Sequence, residues 1–426
     1  MRTGKLTMAV ALAAGVAACS LVLPSCSSSG ATNSAASVSG QSCAWPTASG
    51  IETSNPGTSN TGIPDSAAFY WAQPIVAAPT TRIVISGTYP DARYASLSVY
   101  TPYGNPFTVD GVSSSLPDYK IAPEHGSTNP WRAHASAGGK FEVTIRSDVS
   151  SGQSNVLPLP PGTTAQYPGY LVYRVYLPAG GDFSRVKLLT LTIDNGSVTD
   201  KLSTCAVHPK FVIAPEKAPA TTTTSSAVAG ATPPAGEFYK PAFAGGYADA
   251  DTSYVQAYFV RPPATDVVVV TGKAPTHVPG EDPSPWPAPD DDMRYWSMCI
   301  GVGVATEPTV VNHLAGGKTD YGCRADQSTN VDVAGDYTYV IGTEAQSAAI
   351  SRIPDVTFLP FSTSQTAPLY LLLLRDLLVS AQFTNSVQNV VTPLSATATS
   401  AVMGQYYPTL VTCPLATLAA KGVQGC

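Results

Sequence analysis

Charge is scarce in this chain: Asp, Glu, Lys and Arg make up 12% of 426 residues, against 44% apolar ones. Positive charge is scarcer still, with 23 basic against 29 acidic residues and a formal charge of −6. Losing Arg2 and Lys5 with an N-terminal leader takes this to −8, two positive charges fewer. Polyanions are held by basic faces, so this balance argues against nucleic acid or an anionic membrane surface as a partner. The apolar content is too high for a disordered chain. Histidines are few: His125, His134, His208, His277 and His313. None stands at metal-ligand spacing from another histidine, and there is no Cys-x-x-Cys. There is no Gly-x-Ser-x-Gly elbow and no phosphate-binding loop, and Gly301-Val302-Gly303 lacks the third glycine of a dinucleotide site. The expectation is therefore no metal and no cofactor. Helical patterning is also rare; residues 380–390 and 413–420 are the best helix candidates. Leu371-Leu372-Leu373-Leu374 is broken by Arg375-Asp376, too soon for a membrane span, and reads as a buried strand.

Proline, glycine and tyrosine are plentiful, at 38, 35 and 21 residues, which suits many short strands joined by turns. Phe141-Glu142-Val143-Thr144-Ile145-Arg146 and Tyr337-Thr338-Tyr339-Val340-Ile341 alternate apolar and polar residues as half-buried strands do, and residues 188–193 and 267–270 read as strands too. The chain also repeats itself. Asp91-Ala92-Arg93-Tyr94-Ala95-Ser96 returns as Asp292-Met293-Arg294-Tyr295-Trp296-Ser297. Leu171-Val172-Tyr173-Arg174 returns as Leu372-Leu373-Leu374-Arg375, so both arginine pairs are 201 residues apart. A repeat of that length means two similar domains rather than a solenoid. The expected fold is mainly β: two homologous antiparallel β-sandwich domains in tandem, with few short helices.

The first 26 residues read as a lipoprotein-type signal peptide: basic Arg2 and Lys5, an apolar run over 6–23, then small residues. Leu23-Pro24-Ser25-Cys26 resembles a lipobox, and so does Val16-Ala17-Ala18-Cys19. Cys26 is favoured. It is followed by a Ser/Ala/Gly-rich tether over 27–42, and cleavage there leaves six cysteines, an even number suited to an oxidising compartment. The first domain then spans 43–214, a Thr/Pro/Ala linker 215–236, and the second domain 237–426. Six cysteines allow fifteen pairings; the spacing suggests Cys43–Cys205, Cys299–Cys323 and Cys413–Cys426.

Residues 121–131, containing Pro123-Glu124-His125-Gly126-Ser127 and Asn129-Pro130-Trp131, lead into Phe141-Glu142-Val143-Thr144-Ile145-Arg146. Asn155-Val156-Leu157-Pro158-Leu159-Pro160 and Tyr170-Leu171-Val172-Tyr173-Arg174-Val175 follow in turn. In this order the chain resembles the uncharacterised bacterial family called domain of unknown function 1214. The second half is similar to exported proteins of high-GC bacteria through Arg294-Tyr295-Trp296-Ser297 and Met403-Gly404-Gln405-Tyr406-Tyr407-Pro408. The resemblance implies a β-sandwich fold and no catalytic assignment. The second half lacks the Asn-Pro-Trp element and a counterpart of Asn155.

Four arginines, Arg93, Arg174, Arg294 and Arg375, fall on apolar strand faces, where a charge is costly unless paired. Two readings stand. Each arginine ties strands together through a carboxylate or carbonyls, with Asp91 and Asp292 as nearby partners for Arg93 and Arg294. Alternatively, one arginine per domain holds the anionic head of a ligand by bidentate bonds. Asp290-Asp291-Asp292 with Glu281 and Asp282 is an acidic loop without a calcium-loop pattern. His125 beside Glu124 and Ser127 reads as a turn. The functional expectation is an exported lipoprotein with a non-catalytic binding or scaffolding role. Its partners would be the membrane, through the lipid anchor, and a small anionic or amphipathic ligand or envelope component. The alternative is an extracellular hydrolase of an ester or glycan, so enzymatic activity stays open.

Overall fold

The computed structural model describes residues 43–50, 60–194, 196, 199–205, 235–242, 246–303, 307–364 and 368–426. The expected signal peptide, both lipobox cysteines, the tether and nearly all of the linker lie outside them.

The chain is mainly β. Strands of the first half are β1 (Thr47–Gly50), β2 (Ala68–Ile75), β3 (Arg82–Thr88), β4 (Ala92–Tyr100), β5 (Ser115–Pro117), β6 (Lys140–Arg146), β7 (Val156–Pro158), β8 (Gly169–Pro178), β9 (Thr190–Asp194) and β10 (Thr199–Lys201). They form two five-stranded sheets, ordered β1-β2-β8-β4-β5 and β7-β6-β3-β9-β10. The second half has β11 (Thr252–Val260), β12 (Asp266–Lys273), β13 (Met293–Val302), β14 (Cys323–Ala325), β15 (Asp336–Gly342), β16 (Val356–Pro360), β17 (Leu369–Val379) and β18 (Thr409–Pro414). Its two four-stranded sheets run β11-β17-β13-β14 and β16-β15-β12-β18.

Strands β2 to β9 thus recur, in chain order and in sheet order, as β11 to β18. A parallel pairing, β6 with β7 and β15 with β16, falls at the same place in each sandwich. Register agrees as well: Arg174 stands opposite Ser96, and Arg375 opposite Ser297. Each sandwich closes over its own core, because alternate residues of both sheets are apolar. Ile85, Val143 and Leu191 meet Leu97, Leu171 and Val175 in the first half. Val268, Tyr339 and Ile341 meet Trp296, Met298 and Leu372 in the second. The outer faces of β4, β8, β13 and β17 also carry apolar groups, and Tyr94, Tyr176, Tyr295 and Leu377 share one cluster that joins the halves. Both sandwiches accordingly belong to one compact unit.

The helices differ from the expectation. Residues 380–390 do not form an α-helix; they turn twice and end in the 3-10 turn Val387–Asn389. Phe383, Val387 and Val390 are buried at helical spacing, which is what the pattern suggested. Side chains take up backbone groups instead: Ser386 caps the 3-10 turn, Asn389 donates to the Thr384 carbonyl, and Asn385 donates to the Val402 carbonyl. Helix α1 (Glu344–Ile350) and α2 (Ala396–Met403) were not expected. Gln346 accepts from the Thr343 amide at 2.8 Å and Ser395 from Ala398 at 3.1 Å, so each has a capping signature. Helix α3 (Leu415–Lys421) lies where the sequence put one and buries Leu418.

Three disulfides join the pairs that the spacing suggests: Cys43–Cys205, Cys299–Cys323 and Cys413–Cys426. The first closes a loop with a sequence separation of 162 residues and so constrains the unfolded chain most. Replacing Cys43 and Cys205 by serine is expected to cost about 2–4 kcal/mol in urea unfolding. An unchanged midpoint and slope would show that this bond does not hold the first sandwich.

Candidate functional site

The four arginines are all buried, and all four reach carboxylates of the opposite half. Arg93 and Arg294 open β4 and β13. Arg93 Nη1 donates to both oxygens of Asp326 at 2.7 and 2.6 Å, Nη2 to Gln327 at 2.8 Å, and Nε to the Gly280 carbonyl at 2.5 Å. Arg294 Nη1 donates to Asp118 at 2.5 Å, and its guanidinium lies over the Trp286 and Tyr119 rings at 5.3 and 5.7 Å. Asp118 and Asp326 hold equivalent places, each starting a 3-10 turn just after β5 or β14. Each also accepts a backbone amide from the strand it serves, Ala95 at 2.8 Å and Trp296 at 3.2 Å.

Arg174 and Arg375, in the middle of β8 and β17, repeat the crossing. Arg174 donates to the Tyr247 carbonyl at 2.5 Å, to Tyr100 Oη at 2.5 Å and to Ser98 at 3.2 Å, and lies 3.8 Å from Asp249. Arg375 donates to the Ile63 carbonyl, lies 2.9 Å from Cys299 Sγ, and lies 3.7 Å from Asp65. Asp65 and Asp249 each accept the amide two residues on, at 3.0 and 3.1 Å, in the turn that feeds β2 or β11. Ile63 and Tyr247 both have the left-handed backbone, at φ 47 and 57. Tyr295 donates to Asp65 at 2.8 Å, and Tyr94 lies 3.4 Å from Asp249. The contacts are thus related pair by pair, as across a two-fold axis between the halves. The match is not complete: the Ser98–Ser115 hydrogen bond of the first half stands where the Cys299–Cys323 disulfide joins β13 to β14, and Tyr100, which accepts from Arg174, stands where the second half has Gly301.

Burial and pairing compete at these groups. Burial raises the Asp118 carboxyl above its ordinary value, even though Arg294 and the Ala95 amide pull it down. Burial pulls the Arg174 guanidinium the other way, but Tyr100 and Asp249 outweigh it and raise its pKa. Two charges removed from water are held by each other and by carbonyls, so removing one partner strands the other.

Arg93 and Arg294 are sealed. Arg174 and Arg375 instead line a cavity of ≈ 310 Å³ in the seam between the halves. Its walls include matched residues: Tyr70 with Tyr254, and Val172 with Leu373, beside the two arginines. The sequence singled out these four arginines, but Asp91 and Asp292, the neighbours it suggested for Arg93 and Arg294, are not the carboxylates they reach. Asp91 is exposed where the chain enters β4, and Asp292 accepts the Thr276 amide at 2.9 Å. Both precede their strands, while the arginines point across the seam. Asp65, Asp118, Asp249 and Asp326 were not singled out. One signal was present: Gly62-Ile63-Pro64-Asp65 followed by Tyr70 matches Gly246-Tyr247-Ala248-Asp249 followed by Tyr254.

Other singled-out residues are structural. Glu124, His125 and Ser127 are in a turn closed by Ser127 N donating to the Glu124 carbonyl at 2.9 Å. Asn129 is buried and donates to the Asp118 and Ile121 carbonyls, and Trp131 Nε1 donates to the Arg93 carbonyl at 3.0 Å. Asn155 clamps Ala122 and Glu142. In the acidic loop, Glu281 accepts the Gly180 amide at 2.8 Å. Asp65, Cys299 and Cys323 cluster as metal ligands would, but the two sulfurs are bonded to each other.

No family model and no curated protein matches this chain. Among solved structures, the chain is similar to a putative uncharacterized protein from Burkholderia cenocepacia, with 12% identity and a TM-score of 0.46 over 84% of this chain and 79% of that one. An anti-sigma factor domain-containing protein aligns with 9% identity and a TM-score of 0.17 over 88% of this chain and 86% of that one.

Proposed function

We propose that this protein is a non-catalytic binding protein of the bacterial cell envelope, exported and anchored to the outer face of the membrane by a lipid on Cys26. In this reading the two sandwiches act as one rigid body, and the seam cavity takes a small amphipathic ligand with an anionic or hydrogen-bonding head. The observation that carries it is the convergence of Arg174, Arg375, Tyr70 and Tyr254 on one cavity of ≈ 310 Å³. Apolar walls with a few placed polar groups are what small-molecule sites consist of. The three disulfides suit an oxidising compartment.

Anilinonaphthalene sulfonate, a small amphipathic anion, is the probe. It is expected to bind saturably at one site, and Leu373→Trp, which fills the cavity from β17, is expected to abolish that binding while the far-UV spectrum stays unchanged. Absence of saturable binding, or binding that survives the substitution, would overturn the seam as a ligand site. Anchoring is tested separately. Mass spectrometry of the mature protein is expected to show a diacylglyceryl cysteine at Cys26 as the first residue; an unmodified terminus further along would reject it.

A further inference from the structure

An open cleft of ≈ 430 Å³ on the second sandwich shares no lining residue with the seam cavity. It is lined by β14, β16, helix α1, and the hairpin that pairs Val311–His313 with Thr319–Tyr321. The repeat supplies an internal comparison. Arg324 stands on β14 opposite Met298, where the first half has Leu116 opposite Leu97. Leu116 packs against the apolar core of that half. The fold therefore does not require a cation at this position. Arg324 is nonetheless held firmly. Its Nη1 donates to the Tyr321 and Cys323 carbonyls, and its Nη2 to Asp320 at 2.9 Å. Its Nε–H has no partner among the described residues.

Other groups around the cleft also keep bonding capacity. The Lys318 ammonium is exposed and makes no hydrogen bond or ion pair with the described residues. Glu344 uses one carboxylate oxygen to accept from Asn312 at 3.2 Å and leaves the other. The Ser328 and Ser351 hydroxyls have no partner among the described residues either. The lining is mostly polar, whereas that of the seam cavity is mostly apolar. Its apolar part includes the half-buried Phe358 ring and Leu314. The volume falls within the range of small-molecule sites, about 300–1,000 Å³.

Charge and hydrogen-bonding roles narrow the occupant. Two cations, Lys318 and Arg324, stand with two carboxylates, Asp320 and Glu344, so the cleft has no net charge. A ligand of one sign meets attraction and repulsion together. A zwitterion needs its poles held apart, but Arg324 and Asp320 are a fixed contact pair. That pair presents a donor beside an acceptor. Adjacent hydroxyls match it, because each hydroxyl both donates and accepts. We propose that this cleft is a second binding site, for one uncharged sugar residue. Two neighbouring hydroxyls bond the Arg324–Asp320 pair, further hydroxyls bond Lys318 and Glu344, and the C–H face of the sugar lies on Phe358. Aromatic rings supply the apolar area such a face needs. The site is independent of the seam cavity and of the ligand proposed there.

Saturation-transfer difference NMR on the full chain tests this. The probes are the methyl glycosides of glucose, galactose, mannose and N-acetylglucosamine, with glycine as the zwitterion and acetate as the anion. At least one glycoside is expected to bind saturably. Arg324→Leu, which installs the residue type of position 116, is expected to raise its Kd about tenfold or more, since a hydrogen bond to a charged group is lost. Lys318→Ala changes an exposed side chain and keeps the test open if Arg324→Leu does not fold; it is expected to weaken the same binding. Leu373→Trp, which fills the seam, is expected to leave it unchanged, so the two sites stand or fall separately. Binding of none of the glycosides, or binding at parental strength in either folded variant, would overturn the proposal. Glycine or acetate binding more tightly than every glycoside, and lost in the same variants, would overturn the uncharged class. Glycoside binding lost in Leu373→Trp would place the sugar in the seam and overturn the proposal as well.

Discussion

Arg294→Met is expected to destabilise the folded chain by about 3–5 kcal/mol, the cost of leaving a buried carboxylate without its cation. Arg294 and Asp118 are both sealed, 2.5 Å apart, and stand on opposite halves. The loss has two parts. Asp118 keeps the Ala95 and Tyr119 amides but loses its countercharge. The Trp286 and Tyr119 rings lose the guanidinium stacked on them, which methionine replaces only in volume. The effect is therefore expected to weaken at pH values low enough to protonate Asp118. Urea unfolding at pH 7 measures it; a change below about 1 kcal/mol would mean that the seam does not depend on this pair.

The second large effect concerns pH. Burial raises the Asp376 carboxyl from the ordinary range to about 7, and burial together with Asp249 raises Asp251 to about 7. A carboxyl whose folded pKa is raised binds more protons folded than unfolded between those two values. Its contribution to stability is therefore lost as pH rises from about 4 to about 7 and is constant above that. About three pKa units at about 1.4 kcal/mol each give roughly 4 kcal/mol for Asp376. Asp376→Val, which restores the residue type of position 175, should thus stabilise more at pH 8 than at pH 4, by roughly 4 kcal/mol. Asp251 remains in that variant, so some of the decline with pH persists. Equal stabilisation at both pH values would show that Asp376 is not buried as a lone carboxyl.

Much of the architecture was legible in the sequence because strands and repeats have short signatures. Alternation over residues 141–146 and 337–341 marks half-buried strands, and both are strands. The shared spacing of Arg93 with Arg294 and Arg174 with Arg375 placed those residues on corresponding strands. Their partners were hidden because they lie on the opposite half. Nothing local links Arg93 to Asp326 or Arg375 to Asp65; only the way the halves pack does that. A periodicity argument also misled at residues 380–390, where buried Phe383, Val387 and Val390 mimic a helix but Asn and Ser side chains take the backbone bonds. The burial of Asp376 was invisible for the same reason. In the sequence Asp376 is one charge that interrupts a leucine run; only the opposing sheet sets Tyr337 across from it.

A double-mutant cycle on Arg294 and Asp118, in the full chain at pH 7, tests the crossed pairing most directly. Arg294→Met and Asp118→Asn should each be costly, while the double variant should cost at least about 2 kcal/mol less than their sum, since it leaves no stranded charge. Asp292→Asn, the neighbour in sequence that accepts the Thr276 amide instead, should add to Arg294→Met within about 0.5 kcal/mol. Additivity between Arg294 and Asp118, with coupling to Asp292 in its place, would contradict the crossed seam.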